Sequence, residues 1–190
     1  MLTNPNKSKI QWAAFVATFP VTGLLLHAEG RRWICACGKV MLWAARVCSS
    51  DNSQHLLDAY SFTHVLHGVL FFWLIYWLAP GRRWQTQLLA ATAFEAVWEL
   101  FENTNFVIDR YREATAALGY NGDTVVNSLG DILCCIAGFL IARRVGWRKS
   151  IIVFAVFEII LIAWIHDSLL LEVLMLIAPV EAIKGWQLCA

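Results

Sequence analysis

Long runs of apolar residues alternate with short polar breaks along the chain, and these runs organise the sequence. Residues 10–26 form an uncharged apolar run after Lys7 and Lys9. A second covers 62–78 and closes at Ala79, Pro80 and Gly81; a third covers 87–106; a fourth, 124–142, ends at Arg143 and Arg144; a fifth, 150–165, ends at His166 and Asp167. At about 1.5 Å of rise per residue, each is long enough to cross, or nearly cross, a hydrocarbon core of about 30 Å. A last run, 169–178, stops at Pro179 and covers about half that thickness, which predicts an interfacial or re-entrant segment. Barrel strands would alternate in polarity and stop near ten residues, whereas these runs are continuous and rich in Leu and Ala. The expected fold is an all-α, polytopic transmembrane bundle in one integral membrane domain, 1–190, with about five spans, a short C-terminal helix and an outer loop at 27–61. Basic residues before 10–26 also fit a signal peptide, but no small-x-small cleavage site follows and the run exceeds a typical apolar signal core, so an uncleaved anchor is expected.

Composition agrees. Hydrophobic residues make up 59% and charged residues 15%, against about 45–50% and about 25% in soluble domains, too little charge to clothe a soluble globule. A net charge of +1 gives no electrostatic footprint for a nucleic-acid partner. Ten Trp suit a chain with two water interfaces to anchor at. The basic residues set an orientation. With the N-terminus cytoplasmic, the inside receives Lys7, Lys9, Arg82, Arg83, Arg143, Arg144, Arg148 and Lys149. The short outer loop before the fourth run then holds Arg110 and Arg112, and the longer first loop adds Arg31, Arg32, Lys39 and Arg46. The short loops favour this multi-pass arrangement.

That topology gathers the intramembrane ionisable groups in the outer half. Glu95, Glu99 and Glu102 stand at i, i+4 and i+7, His64 and His67 at i, i+3, and Asn127 and Asp131 at i, i+4, so each set shares one helix face. Asp123 lies at the mouth of the fourth run, and His166 and Asp167 at the outer end of the fifth. A carboxylate at the bilayer centre costs about 2.5–3.5 kcal/mol even on a lenient scale, so the stripes are expected to face one another around a hydrated pocket. Two imidazoles with several carboxylates are an inventory for a divalent metal ion or for proton handling. A plainer account is that such groups hydrogen-bond across the bundle and fix its register.

Other features carry less. Cys35, Cys37 and Cys48 lie together in the outer loop and fit a disulfide or, with His55, a thiolate metal site. The single-residue gap is poor for a Cys35–Cys37 pair, which leaves Cys48 as the better partner. Cys134 and Cys135 read as small packing residues, and Gly130 and Gly138 as points of close helix approach. Ser128 near a His and an acid lacks the strained elbow of a nucleophilic serine. Arg31, Arg32, Arg110 and Arg112 read as solvated anchors more readily than as a grip on a lipid phosphate.

The stretches Ser53-Gln54-His55, Tyr60 to Gly68, Glu95 to Asn103, Tyr120 to Asp131 and Trp186-Gln187 together resemble a family of bacterial inner-membrane proteins, domain of unknown function 2585, found chiefly in alphaproteobacteria. The resemblance covers most of the chain and implies location and topology; it supplies no activity. A His-bearing, then a Glu-bearing, then an Asp/Asn-bearing span is more distantly similar to VanZ-like membrane proteins. The tail His166-Asp167-Ser168 departs from the family's more basic first position, which makes His166 the outlier of the set.

The leading expectation is an outward-facing polar pocket that holds a divalent metal ion on His64, His67, Glu99, Glu102 and Asp131, with Asn127, His166 and Asp167 behind them. Asp123 and Glu95 are the acid–base candidates, Asp123 as general base or gate and Glu95 also as a support to the ligands. The chemistry would be hydrolysis or group transfer on a lipid or lipid-linked envelope substrate, since the pocket opens near headgroup level. Two other readings stay open: a small proton-coupled transporter, and a non-enzymatic membrane accessory protein whose polar stripe is structural.

Overall fold

The computed structural model describes residues 5–115 and 119–188. Among these the chain forms α1 (Pro5–Ala28), α2 (Ser61–Leu78), α3 (Trp84–Glu102), α4 (Asn105–Ala114), α5 (Val125–Val145), α6 (Trp147–Ile165), α7 (Leu169–Ile177) and α8 (Glu181–Gln187), with no strand. The fold is all-α, and the five long helices fall on the five apolar runs. By length and composition three of them can cross a membrane: Ser8–Ala28, Ser61–Leu78 and Val125–Val145. The number rises to four if α6 and α7, bent by 73° at a short break, form one broken span. Helix α3 falls outside this group because Glu95, Glu99 and Glu102 interrupt its apolar character, although Glu95 and Glu99 are buried within the bundle. The chain is therefore a helical membrane protein, and five spans is an upper reading of a count that composition alone puts at three or four.

Helix boundaries follow local chemistry. The third run was expected to continue to residue 106, but α3 stops at Glu102. Asn103 leaves helical geometry, and its side-chain amide donates to the Glu99 carbonyl at 3.1 Å. Thr104 then opens α4, its hydroxyl accepting from the Val107 N–H at 3.4 Å. Thr124 and Ser168 cap α5 and α7 in the same way. Helix α6 ends where His166 adopts a left-handed conformation with φ 56°, and this turns the chain into α7.

Helices α2 and α5 form the spine. A Cβ on Gly68 would strike the Cys135 carbonyl of α5, and one on Gly138 would strike the Val65 carbonyl of α2, so the two backbones touch. Gly130 likewise meets the Leu56 carbonyl. At one end of the bundle Val69, Phe72, Ile75, Leu88, Ala91, Phe139 and Ala142 pack into a core, flanked by Phe15, Trp84 and Trp147. The buried acids and histidines lie toward the other, polar end.

Residues 27–61 fold over that polar end. The Val125 and Val126 N–H groups donate to the Arg32 and Trp33 carbonyls at 2.8 and 3.1 Å, and Thr124 N–H to the Ser53 carbonyl at 3.0 Å, so the start of α5 is stitched to the loop. Within the loop a tight turn, closed by Gly38 N–H on the Cys35 carbonyl at 2.9 Å with Gly38 at φ 73°, joins Cys35 to Cys37 in a disulfide. This differs from the expected pairing to Cys48. The turn brings the two Cα atoms to 5.2 Å, a separation a disulfide accepts. Cys48 does not stand free either.

Candidate functional site

The three polar stripes meet. Helix α2 supplies His64 and His67, α3 supplies Glu95 and Glu99, and α5 supplies Asn127 and Asp131, all buried. Glu95 sits between the imidazoles: its Oε1 is 2.5 Å from His64 Nδ1 and 3.1 Å from His67 Nδ1, and its Oε2 is also 3.1 Å from His67 Nδ1. With Nδ1–H of each ring donating to this one carboxylate, Nε2 of each ring is left as a lone pair. A carboxylate holding the remote N–H is the usual support of a metal-ligating histidine. His64 Nε2 lies 3.9 Å from Asp131 Oδ2, and Asp131 Oδ1 accepts from the Ser61 hydroxyl at 2.7 Å.

Glu99 is unlike Glu95. Its Oε1 approaches His64 Nδ1 to 3.3 Å, yet neither of its oxygens has a hydrogen-bond partner, and neither has Glu102 Oε2. A buried carboxylate without partners is costly, and such groups call for an explanation. Two sets of side chains bring ligand atoms within 4.8 Å of one another here: His64, His67 and Glu95, and His64, Glu99 and Glu102. The first set already satisfies itself. The second has open oxygens.

A cavity of about 960 Å³ lies over this cluster, roofed by residues of the 27–61 loop. Of the residues expected at the site, His64, Glu102, Asp123, Asn127, Asp131 and Asp167 line it. His67, Glu95 and Glu99 lie outside its lining. His166 also stands outside it, exposed, with its ring stacked on Trp186 at 4.6 Å between centroids. Asp123 takes a hydrogen bond from Asn103 at 3.0 Å and one from the Tyr120 hydroxyl at 3.0 Å, and returns its own N–H to Asn103 at 2.7 Å. Asn127 donates to the His55 carbonyl at 2.8 Å and thereby fastens the loop to α5.

Several lining residues were not singled out from sequence. Asp58 accepts the N–H groups of Ser53 and Tyr60 at 2.7 and 2.8 Å, and the Tyr60 hydroxyl donates to Asp167 at 3.3 Å. Glu172 and Gln187 complete that wall. Burial pushes the Asp58 and Asp123 carboxyls up from their ordinary range, and the hydrogen bonds they accept offset part of that rise. Tyr60, Asn103 and Gln187 lay inside the quoted motif stretches, which was the available signal; Glu172, on a short apolar helix, gave none. The arginines also differ from expectation. Arg31 donates to the Asn121 carbonyl at 2.7 Å and Arg112 to the Tyr120 carbonyl at 2.5 Å. These two are clamps on the 119–123 loop and not solvated anchors. Replacing Asn103 with Leu should cost about 1–3 kcal/mol, because Asp123 would lose its amide partner while staying buried; thermal unfolding in detergent reads it.

This ordered set of buried groups coincides with the motifs quoted above. Residues 26–189 match the protein family of unknown function DUF2585. The chain belongs to that family. Relatives of the chain include a UPF0314 protein of Sphingopyxis alaskensis, 43% identical over 180 residues that cover 95% of this chain and 96% of the relative. Another is a UPF0314 protein of Sinorhizobium fredii, 43% identical over 188 residues, 97% and 95% of the two chains. A third, from Rhizobium etli, is 46% identical over 176 residues, 91% and 90%. The more distant likeness to VanZ-like proteins finds no support among these matches. No solved structure matches the chain.

Proposed function

We propose that this DUF2585 protein is a membrane-embedded, metal-dependent hydrolase or transferase whose polar cavity receives a lipid or lipid-linked substrate. One observation carries the reading: Glu99 is fully buried, beside His64 and Glu102, with both oxygens unpartnered. A divalent ion held by His64, Glu99 and Glu102, with Asp131 on the far side of His64, would relieve those oxygens. Glu95 then keeps both imidazoles oriented, a positioning role and not an acid–base one. Such an ion would supply a Lewis acid and an activated water at neutral pH. Asp123, on the cavity wall and raised by burial, is suited to carry a proton there. The bilayer is the source of substrate, and the orientation proposed puts the cavity on the outer face of the inner membrane, with the N-terminus cytoplasmic.

The transporter reading is less favoured, since the apolar core of Phe72, Ile75, Leu88 and Phe139 fills the inner end and offers ions no polar path among the described residues. Metal analysis of the purified chain tests the proposal. A bound divalent ion, with thermal stability that falls on chelation and metal content reduced in the His64→Ala variant, is the expected result. A metal-free chain whose stability ignores chelators would end the proposal.

A further inference from the structure

The Cys35–Cys37 disulfide lies apart from the buried metal-ligand cluster, and its surroundings are unequal. Cys35 is buried while Cys37 is exposed. The Cys37 backbone N–H donates to Cys35 Sγ at 3.1 Å. A ring nitrogen of His55 lies within 4.8 Å of both sulfurs. His55 is itself fully buried. Its Nδ1 accepts the Met41 N–H at 3.3 Å, which places the proton of the neutral ring on Nε2. That Nε2 has no hydrogen-bond partner and stands 3.7 Å from Asp51 Oδ1. A cross-link over one intervening residue constrains the unfolded chain less than a long-range one, so it is a weak fastener. A fastener also has no use for a buried histidine with an unpartnered N–H.

We propose that Cys35 and Cys37 form a redox-active pair that exchanges with thiols, with Cys37 as the sulfur that is attacked, Cys35 as the leaving sulfur and His55 as a positioning residue whose ring lies beside both sulfurs. An incoming thiolate attacks exposed Sγ of Cys37; the Cys37–Cys35 bond breaks and its electron pair leaves on Cys35. The Cys37 N–H stabilises that thiolate beside the His55 ring, and the thiolate takes its proton from water, which carries the proton released by the incoming thiol. A second thiolate then attacks the incoming sulfur of the mixed disulfide, which frees Cys37. The net reaction takes two thiols and the protein disulfide to one external disulfide and two protein thiols, a two-electron transfer. The reverse direction oxidises a dithiol. A zinc-class ion on the same three residues is the competing arrangement, and it is disfavoured because His55 already receives a backbone N–H at one nitrogen and carries its proton on the other.

The test uses the full chain in detergent with glutathione as the thiol. Under limiting reduced glutathione, the wild-type Cys35–Cys37 peptide is expected to open at least tenfold faster than any other disulfide of the chain, read by alkylation and peptide mass mapping. With oxidised glutathione, Cys35→Ser is expected to trap a mixed disulfide at Cys37, whereas Cys37→Ser accumulates much less at buried Cys35. His55→Gln, whose amide oxygen can still accept the Met41 N–H, should slow opening several-fold in the folded fraction of the protein. Equal trapping at the two positions, or an opening rate no faster than the other disulfides, overturns the proposal. So does stoichiometric zinc uptake by the reduced chain that abolishes thiol reactivity. None of these outcomes depends on the ion proposed at His64 and Glu99.

Discussion

Replacing Glu95 with Ala is expected to destabilise the protein by about 3–6 kcal/mol, since two buried imidazole N–H groups each lose a charged acceptor at about 1.5–3 kcal/mol. His64 and His67 both give Nδ1–H to Glu95, so the truncation strands two buried imidazoles at once. Replacing Glu99 with Gln is expected to do the opposite in chelator-treated protein. Its oxygens have no hydrogen bonds to lose, and replacing a buried carboxyl that makes none should raise the unfolding temperature, while metal retention falls. Thermal unfolding followed by Trp fluorescence, with and without chelator, separates the two. If Glu99→Gln destabilises as much as Glu95→Ala, the polar stripe is acting as glue between helices, and the accessory-protein reading gains.

The second large effect is steric. Ala at Gly68 would press its methyl group into the Cys135 carbonyl, and Ala at Gly138 into the Val65 carbonyl. Backbone cannot step aside as a side chain can, so each substitution is expected to cost at least about 1–3 kcal/mol and to lower the amount of folded protein recovered. Gly185 supplies the control. It lies in α8 with open space around its Cα, and Gly185→Ala should be neutral or slightly stabilising. Equal recovery of all three variants would mean that α2 and α5 do not make the contact described.

Much of this fold is legible in the amino-acid sequence itself. Each long apolar run became a helix, because apolar length is the dominant signal in a membrane segment and little competes with it. The spacing of Glu95 with Glu99, and of His64 with His67, placed them on common faces, and cost alone argued that those faces turn inward. What spacing could not supply was pairing. Glu95 and Glu99 are the same residue type one turn apart, yet one is fully engaged and the other is not, since the distinction arises from the rotation of α3 against α2. The end of α3 was missed for a different reason. Asn103 and Thr104 look tolerable inside an apolar run, but their side chains compete for backbone groups and open α4. The Cys35–Cys37 link was missed because linear spacing ignores the turn that Gly38 permits. The loop's role as a roof was also beyond the sequence, since it rests on backbone bonds from residues 32, 33 and 53 to residues more than seventy positions away.

The backbone contact between α2 and α5 also bears on how the cavity can be entered. Helices separated by a layer of side chains can roll on that layer, as if on bearings. Helices whose main chains touch at Gly68 and Gly138 have no such layer, and the span between His64 on one and Asp131 on the other is held as a fixed jaw. Any widening that admits a large molecule must therefore come from the parts set around the jaw: α3, the kinked α6–α7 pair, or the roof. On that account a cross-link between the roof and the start of α5 should block entry, while one between α2 and α5 should go unnoticed.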